Sequence, residues 1–248
     1  MRGRSAMSLA LAVAILGLGA PVLARAQSPA SAAVAPIQTP DWSGVWVLDD
    51  VGGREASEDS FGTDPGRVPL TPKYMKLRAE ARAARAQNNM SKCLPGGTPG
   101  VLQHGVMHEY LITPGRVTIL IEDGEIRRIF TDGRPHRDLE DLADSYMGDS
   151  IGHWEGQTLV VDTIGFPNGS LFQNHGLLAT INTHLVERIF KNADGDIQID
   201  SVISDPEIFA KPYAYTRKYS PSPIEMGEPG CREGNRDDGE TVDLTPPK

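Results

Sequence analysis

Short apolar runs separated by turn residues dominate the chain from Met107 onward. The runs 107–112, 117–121 and 158–163 are rich in β-branched and aromatic residues, and Gly, Pro, Asn or Asp follows each of them. Comparable runs occupy 42–48, 125–131, 150–154, 183–190, 197–203 and 213–219. This spacing is typical of antiparallel strands joined by hairpins. The pattern predicts an all-β domain, an antiparallel barrel of about eight to ten strands around one small ligand.

One helix is predicted after the first strand, and one or two peripheral helices are expected in all. Thr71 is a good N-cap residue, and Pro72 follows it at the first helical position. The helix is expected to continue to Gln87. Apolar side chains recur at steps of three and four, at Tyr74, Leu77, Ala81 and Ala84. This narrow apolar face predicts a helix packed on the outside of the sheet.

The N-terminus has the pattern of an export signal. Arg2 and Arg4 precede the apolar run 8–16, and Ala24-Arg25-Ala26 offers small residues for cleavage before Gln27. An uncleaved anchor is the alternative, but the run is too short and too interrupted for a stable membrane span. We therefore expect a signal peptide at 1–26, a flexible linker at 27–40, one β-barrel domain at 41–237 and a tail at 238–248. The mature protein would be periplasmic or secreted.

The charge of the chain bears on its partners. The net charge is −9, and removal of residues 1–26 takes away three arginines and leaves −12. Such a surface repels phosphate backbones and anionic lipids, so we expect no nucleic acid and, after signal cleavage, no membrane insertion. The chain has no Walker loop and no G-x-S-x-G elbow. The expected partner is a small-molecule ligand or substrate, and the oligomeric state is left open.

Cys93 and Cys231 are the two cysteines of the chain. In an oxidising compartment such a pair is expected to form a disulfide. The bond would close a long loop and stabilise the fold by about 4 kcal/mol on a chain-entropy argument. The alternative, a nucleophilic thiol, needs a thiolate-stabilising neighbourhood that the residues after Cys93 do not supply.

Four strings in the middle of the chain carry a resemblance. They are TDGRPH at 131–136, SIGHWEG at 150–156, TLVVDTIGF at 158–166 and VER at 186–188. The chain resembles a large, mostly uncharacterised family of exported bacterial proteins from about Trp42 to Asp237. The resemblance implies a lipocalin-like (calycin-type) barrel more than it implies an activity. Gly44-Val45-Trp46 matches the G-x-W of such barrels, and Arg217 is expected to lie over that tryptophan.

The candidate catalytic residues lie between the strand runs 125–132 and 157–163. His136 is the predicted general base, because imidazole titrates near neutrality, and Asp132 or Asp138 would fix its tautomer. Arg134 or Arg128 would stabilise a developing anion, and Tyr146 would donate a proton. This set predicts a lyase or isomerase that needs no cofactor. Retro-aldol loss of formaldehyde from a lignin-type aromatic, or elimination on one, is an example.

Aromatic and basic side chains on nearby strands are the predicted substrate contacts. They are Arg128, His108, Tyr110, His153, Trp154 and His184. His108 and Tyr110 share one strand face, and His184 shares another with Val186 and Arg188, so either set can point into the barrel. Trp154 is expected to be an end plug or a ligand wall.

Other interpretations stay open beside catalysis. His104 and His108 would suit a zinc site on a helix, but the region is expected to be extended, so no metal is predicted. Asp132 and Gly133 also form a good hairpin turn, which needs no chemistry. The protein would then be a non-catalytic periplasmic carrier of an apolar small molecule, or a scaffold of the cell envelope.

Overall fold

The computed structural model describes residues 39–48, 68–84, 89, 93–103, 105–142, 145–171 and 177–228. These residues all belong to one compact unit that spans residues 37–248. The signal peptide predicted at 1–26, most of the linker predicted at 27–40 and the tail predicted at 238–248 lie outside the described residues. They stay predictions.

Nine strands form a closed barrel in this described part of the chain. They are β1 (Val45–Leu48), β2 (His108–Thr113), β3 (Arg116–Ile121), β4 (Ile126–Phe130), β5 (Asp149–Glu155), β6 (Thr158–Ile164), β7 (His184–Lys191), β8 (Ile197–Ser204) and β9 (Tyr213–Pro221). Each strand pairs with the next along the chain, and β9 pairs with β1 to close the barrel. The predicted β class and closed barrel are confirmed. The lipocalin-like topology stays a prediction.

One pair of neighbouring strands departs from the predicted antiparallel order. Strands β4 and β5 run parallel and pair only at Ile129 with Ser150 and at Phe130 with Ile151. The other neighbouring strands are antiparallel. The chain leaves β4 through residues 131–148, which is long enough for the return that a parallel connection needs. The prediction of a purely antiparallel barrel is therefore wrong at this place, which we call the β4–β5 seam.

Helix α1 (Pro72–Ala83) begins after Thr71, with Pro72 at its first turn, as predicted. It buries Tyr74 and Arg78, whereas Leu77, which was expected to pack, stays exposed. Short 3₁₀ turns occupy Gly100–Gln103 and Leu139–Leu142. None of the described helices has the length and apolar character needed to cross a bilayer.

Two apolar clusters fill the barrel. The first contains Trp42, Trp46, Ile119, Ile189 and Tyr219, and the second contains Phe166, Leu171, Leu185, Ile203 and Tyr213. Within β7, Leu185 belongs to one cluster and Ile189 to the other, so the clusters lie one after the other along the strands. The barrel interior is therefore largely occupied by side chains.

The cation over Trp46 is not the predicted one. Lys191 Nζ lies 5.3 Å from the centre of the Trp46 ring, and Arg217 lies 5.3 Å from the ring of Tyr215 instead. The expected contact of Arg217 with Trp46 is therefore wrong. Sequence alternation places Arg217 on the inward face of β9 but does not say which ring it meets.

A buried ion pair lies between the two apolar clusters. Arg127 on β4 donates from Nη1 to Glu187 Oε1 on β7 at 3.1 Å, and from Nη2 to the other oxygen of that carboxylate. Nη2 also lies 3.0 Å from Thr163 Oγ1 on β6 and 3.4 Å from Ser150 Oγ on β5. The side chains of Arg127 and Glu187 are 0% and 4% exposed. Arg127 therefore links its own strand to the next three, directly across the seam.

Candidate functional site

A groove of about 700 Å³ opens on the outer surface of the barrel at the β4–β5 seam. Arg127 and Ile129 are buried inside the barrel, so the alternate residues Ile126, Arg128 and Phe130 face outward and form one wall. The segment 145–150 forms the opposite wall. The volume is in the range of small-molecule sites. Of the predicted site residues, Arg128, Arg134 and Tyr146 line this groove on the outside of the barrel.

Glycines let the second wall lie close to the barrel. Gly148 has φ +74°, and a Cβ added there would lie 2.7 Å from the carbonyl oxygen of Ile164 on β6. Gly97 has φ +70°, and its Cβ would lie 2.5 Å from the carbonyl oxygen of Tyr146. The Thr98 N–H donates to that same oxygen at 3.0 Å. Larger residues at either glycine would push the wall away from its support.

The loop before the 3₁₀ turn Gly100–Gln103 borders one end of the groove and contacts Glu125. Its carboxylate accepts the N–H groups of Gly96 and of Gly97, the latter at 3.1 Å. Burial raises the pKa of Glu125, although the two amide contacts act in the other direction. Pro95 from this loop lines the groove beside Glu125. This end of the groove is therefore fixed by backbone contacts.

Two of the three arginines in the groove are held by carboxylates. Arg134 donates to Asp132 from Nη2 at 2.6 Å and from Nε at 2.9 Å, and its guanidinium carbon lies 4.0 Å from the centre of the Phe130 ring. The contact with Arg134 lowers the pKa of Asp132. Arg137 donates from Nε to Asp149 Oδ1 at 2.8 Å. Both guanidiniums are thereby oriented against a fixed anion.

Arg128 is the third arginine of the groove, and its situation differs. It lies on the outward face of β4 between Ile126 and Phe130. Its side chain makes no hydrogen bond or ion pair with any residue that the structure describes. The side chain of Arg128 therefore retains its full set of hydrogen-bond donors for a ligand.

His136 contacts two carboxylates. Its Nδ1 lies 2.9 Å from Asp149 Oδ2, and its Nε2 lies 3.1 Å from Asp162 Oδ1 on β6. Asp162 Oδ1 also lies 2.8 Å from His184 Nε2. Both ring nitrogens of His136 therefore face a carboxylate oxygen. In this arrangement His136 fastens the 131–148 segment to β5 and β6, and neither nitrogen is open to a substrate.

Asp149 is the carboxylate that ties His136 to the groove. It lines the groove, its side chain is 3% exposed, and it accepts from His136 and from Arg137. Burial alone would raise its pKa, but donation from Arg137 and His136 holds the pKa below its usual value. Asp132, predicted to orient His136, pairs with Arg134 instead. Asp149 and Asp162 take that place.

The remaining predicted residues are divided between the groove and other parts of the barrel. Tyr146 lines the groove. His108 and Tyr110 point into the barrel, where His108 Nε2 lies 3.1 Å from the Tyr110 hydroxyl. Trp154 packs on Trp42, with ring centres 5.4 Å apart, and so lies against the first apolar cluster.

Burial changes the titration of the inward-facing pair. It lowers the pKa of His108 to about 4 and raises the pKa of Tyr110. His184, which could also have pointed inward, faces outward, because Leu185 and Glu187 occupy the inward face of β7. His153 is exposed and lies 3.4 Å from Glu155. These four residues lie apart from the lining of the groove.

His104 and Cys231 fall outside the described residues. The disulfide between Cys93 and Cys231 therefore stays a prediction. Among the residues that are described, no group of three or more His, Cys, Asp or Glu side chains is arranged to hold a metal ion.

Several important residues were not singled out from the sequence. Arg137 and Asp149 gave no signal beyond their charge. Glu187 did give one, because it lies between Leu185 and Ile189 on one strand face, whereas Arg127 and Arg128 each share a face with apolar residues and could not be told apart. A charged residue on an otherwise apolar face is the pattern of a buried ion pair.

Comparison with known proteins adds no identification. None of the known protein-family models matches the chain, and no curated protein matches it. The resemblance to the exported barrel family therefore stays a prediction.

Proposed function

We propose that the groove at the β4–β5 seam binds a small, partly apolar molecule. The observation that carries this is the composition of the lining at a volume of about 700 Å³. Ile126, Phe130 and Met147 offer apolar surface, and arginines and Tyr146 offer convergent polar groups. Ligand sites commonly combine a concave apolar surface with convergent polar groups, and both are present here.

The interior of the barrel is a weaker candidate for the same role. Its two apolar clusters consist of buried side chains, and the Arg127–Glu187 pair is buried as well. A ligand there would have to displace packed side chains, whereas the outer groove is open to solvent. We therefore assign the predicted small-molecule binding to the groove, in a protein exported to the periplasm or beyond.

Acid–base catalysis in the groove is the second candidate. The observation that favours it is that Asp149 and Tyr146 line the groove and that Asp149 also contacts His136. His136 would act as a base only if the substrate displaced its contact with Asp162, whose side chain is 44% exposed. The predicted lyase or isomerase chemistry on an aromatic substrate would then follow that exchange.

Binding is tested first with the mature protein and a panel of aromatic acids, alcohols and aldehydes. Titration calorimetry should find a binder, and Phe130→Ala should weaken it about fivefold, because a ring contact contributes roughly 1 kcal/mol. Phe190→Ala is the matched control, since Phe190 lies half-buried on the outward face of β7, away from the groove. Absence of any binder, or equal effects of the two variants, would contradict the proposal.

Catalysis is tested with the compounds that bind. A carrier returns them unaltered after incubation and extraction, whereas an enzyme yields product in excess of the protein. If it is an enzyme through His136, His136→Ala should abolish turnover while the compound still binds. Turnover that persists in His136→Ala would remove this residue from the mechanism.

A further inference from the structure

The charges around the groove are balanced but unevenly paired. Arg134 and Arg137 are held by Asp132 and Asp149, and Glu125 is held by backbone amides. Arg128 has no such partner among the described residues. A negatively charged ligand would therefore find one guanidinium whose donors are free, and the other two already engaged.

This arrangement favours a ligand with a single negative charge. Three guanidiniums and three carboxylates surround the groove, counting Asp132, so a second negative charge on the ligand would be opposed by Asp149 and Glu125. The planar fork of a guanidinium matches a carboxylate in a bidentate contact. A phosphate monoester carries close to two charges near neutrality and fits this set less well.

The surfaces beside Arg128 favour an aromatic body for the ligand. Residues two apart on a strand are about 7 Å from each other, so Ile126 and Phe130 flank Arg128 within the length of one or two rings. One face of Phe130 is covered by the Arg134 guanidinium. Ile126 is 40% exposed and faces the groove, where Met147 also contributes apolar surface.

Resting on the proposed binding function, the geometry points to an aromatic monocarboxylate as the ligand class, with Arg128 as the residue that selects the carboxylate. The carboxylate pairs with the Arg128 guanidinium. The ring lies along the outward face of β4 against Ile126 and the exposed parts of Phe130. Arg128 is thus a specificity residue of the groove.

The test uses 2-naphthoate and 2-naphthamide, which share ring and shape but differ in charge, together with phenyl phosphate. Affinities are measured by calorimetry on the mature protein, on Arg128→Gln and on Lys218→Gln. Lys218 faces outward on β9, so its variant removes the same charge away from the groove. The circular dichroism and melting temperature of each variant establish that it is folded.

We expect naphthoate to bind the wild type at least about tenfold more tightly than naphthamide, because a hydrogen bond to a charged group is stronger than one to a neutral group. Arg128→Gln should reduce naphthoate to the affinity of the amide, and Lys218→Gln should leave it within about twofold. Phenyl phosphate should bind more weakly than naphthoate.

The contrary outcomes are distinguishable. Equal affinity for naphthoate and naphthamide, tighter binding of phenyl phosphate, or an Arg128→Gln variant that keeps the preference would each overturn the carboxylate assignment while leaving a binding groove. If neither naphthyl compound nor any member of the aromatic panel binds, the proposed function itself fails, and this inference with it.

Discussion

Arg127 offers a direct test of how the barrel is held together across its seam. Arg127→Met keeps a long, unbranched side chain but leaves the Glu187 carboxylate, 4% exposed, without its cation. Removing one partner of a buried ion pair costs about 3–5 kcal/mol. For a domain of this size each kcal/mol lowers the melting temperature by about 2–4 °C, so we expect a fall of roughly 6–20 °C.

Urea unfolding followed by tryptophan fluorescence measures the loss of free energy directly. Arg128→Met is the matched control, because Arg128 is the next residue and faces solvent, and its change should stay within about 0.5 kcal/mol. The double variant Arg127→Met/Glu187→Leu replaces the pair by apolar side chains and should recover most of the stability. Comparable slopes against urea would show that the same surface unfolds in each variant.

Two results would refute this reasoning. One is a loss below about 1 kcal/mol in Arg127→Met, which would mean that Glu187 finds another partner or water. The other is a double variant no more stable than the single one. In that case Arg127 would contribute through packing or through its contacts with Thr163 and Ser150, not through its charge.

The other predictions concern a buried imidazole, a loop contact and the cysteines. Burial lowers the pKa of His108 from 6.5 to about 4, so the unfolded chain binds this proton more readily than the folded protein. The free energy of unfolding is therefore highest above about pH 6.5 and decreases as the pH falls from 6.5 towards 4. Over this pH range, the free energy of unfolding measured in urea should fall by up to about 3 kcal/mol more for the wild type than for His108→Gln. The same pH dependence in both proteins would contradict this. His136→Asn should speed amide hydrogen exchange in residues 131–148 while exchange in β8 stays the same, and equal protection of the loop would show that His136 does not fasten it. Native protein should contain no free thiol by mass spectrometry after alkylation, and Cys93→Ser should lower stability by about 4 kcal/mol; alkylation of Cys93 and Cys231 in the native protein would disprove the disulfide.

The strand content of the barrel could be predicted because alternation and turn residues are local signals. The direction of β5 could not, since nothing inside Asp149–Glu155 encodes whether its neighbour runs with it or against it. Which face of β4 points into the barrel could not be predicted either. In Ile126-Arg-Arg-Ile-Phe130 each face carries both apolar and charged residues, so only the folded barrel distinguishes buried Arg127 from exposed Arg128.

The candidate site could be predicted only in part. Arg134 and Tyr146 reach the groove because the predicted loop does lie beside the ends of its strands. The partners of His136 were not predictable, because Asp149 and Asp162 meet it only after the loop folds back on the outer wall. His108 and Tyr110 lie on an inward face, as alternation allowed, but that face belongs to the packed interior.

The count of strands has a consequence for where a site can form. A closed ring in which every neighbour reverses direction must contain an even number of members, and the described barrel has nine. An odd number of strands requires at least one pair of neighbours that run the same way. Between these two strands the chain must return along the outside of the barrel. The hollow beside β4 is the space left by that detour. With one strand more or fewer, strict alternation would become possible, and the barrel would need neither the detour nor the hollow beside it.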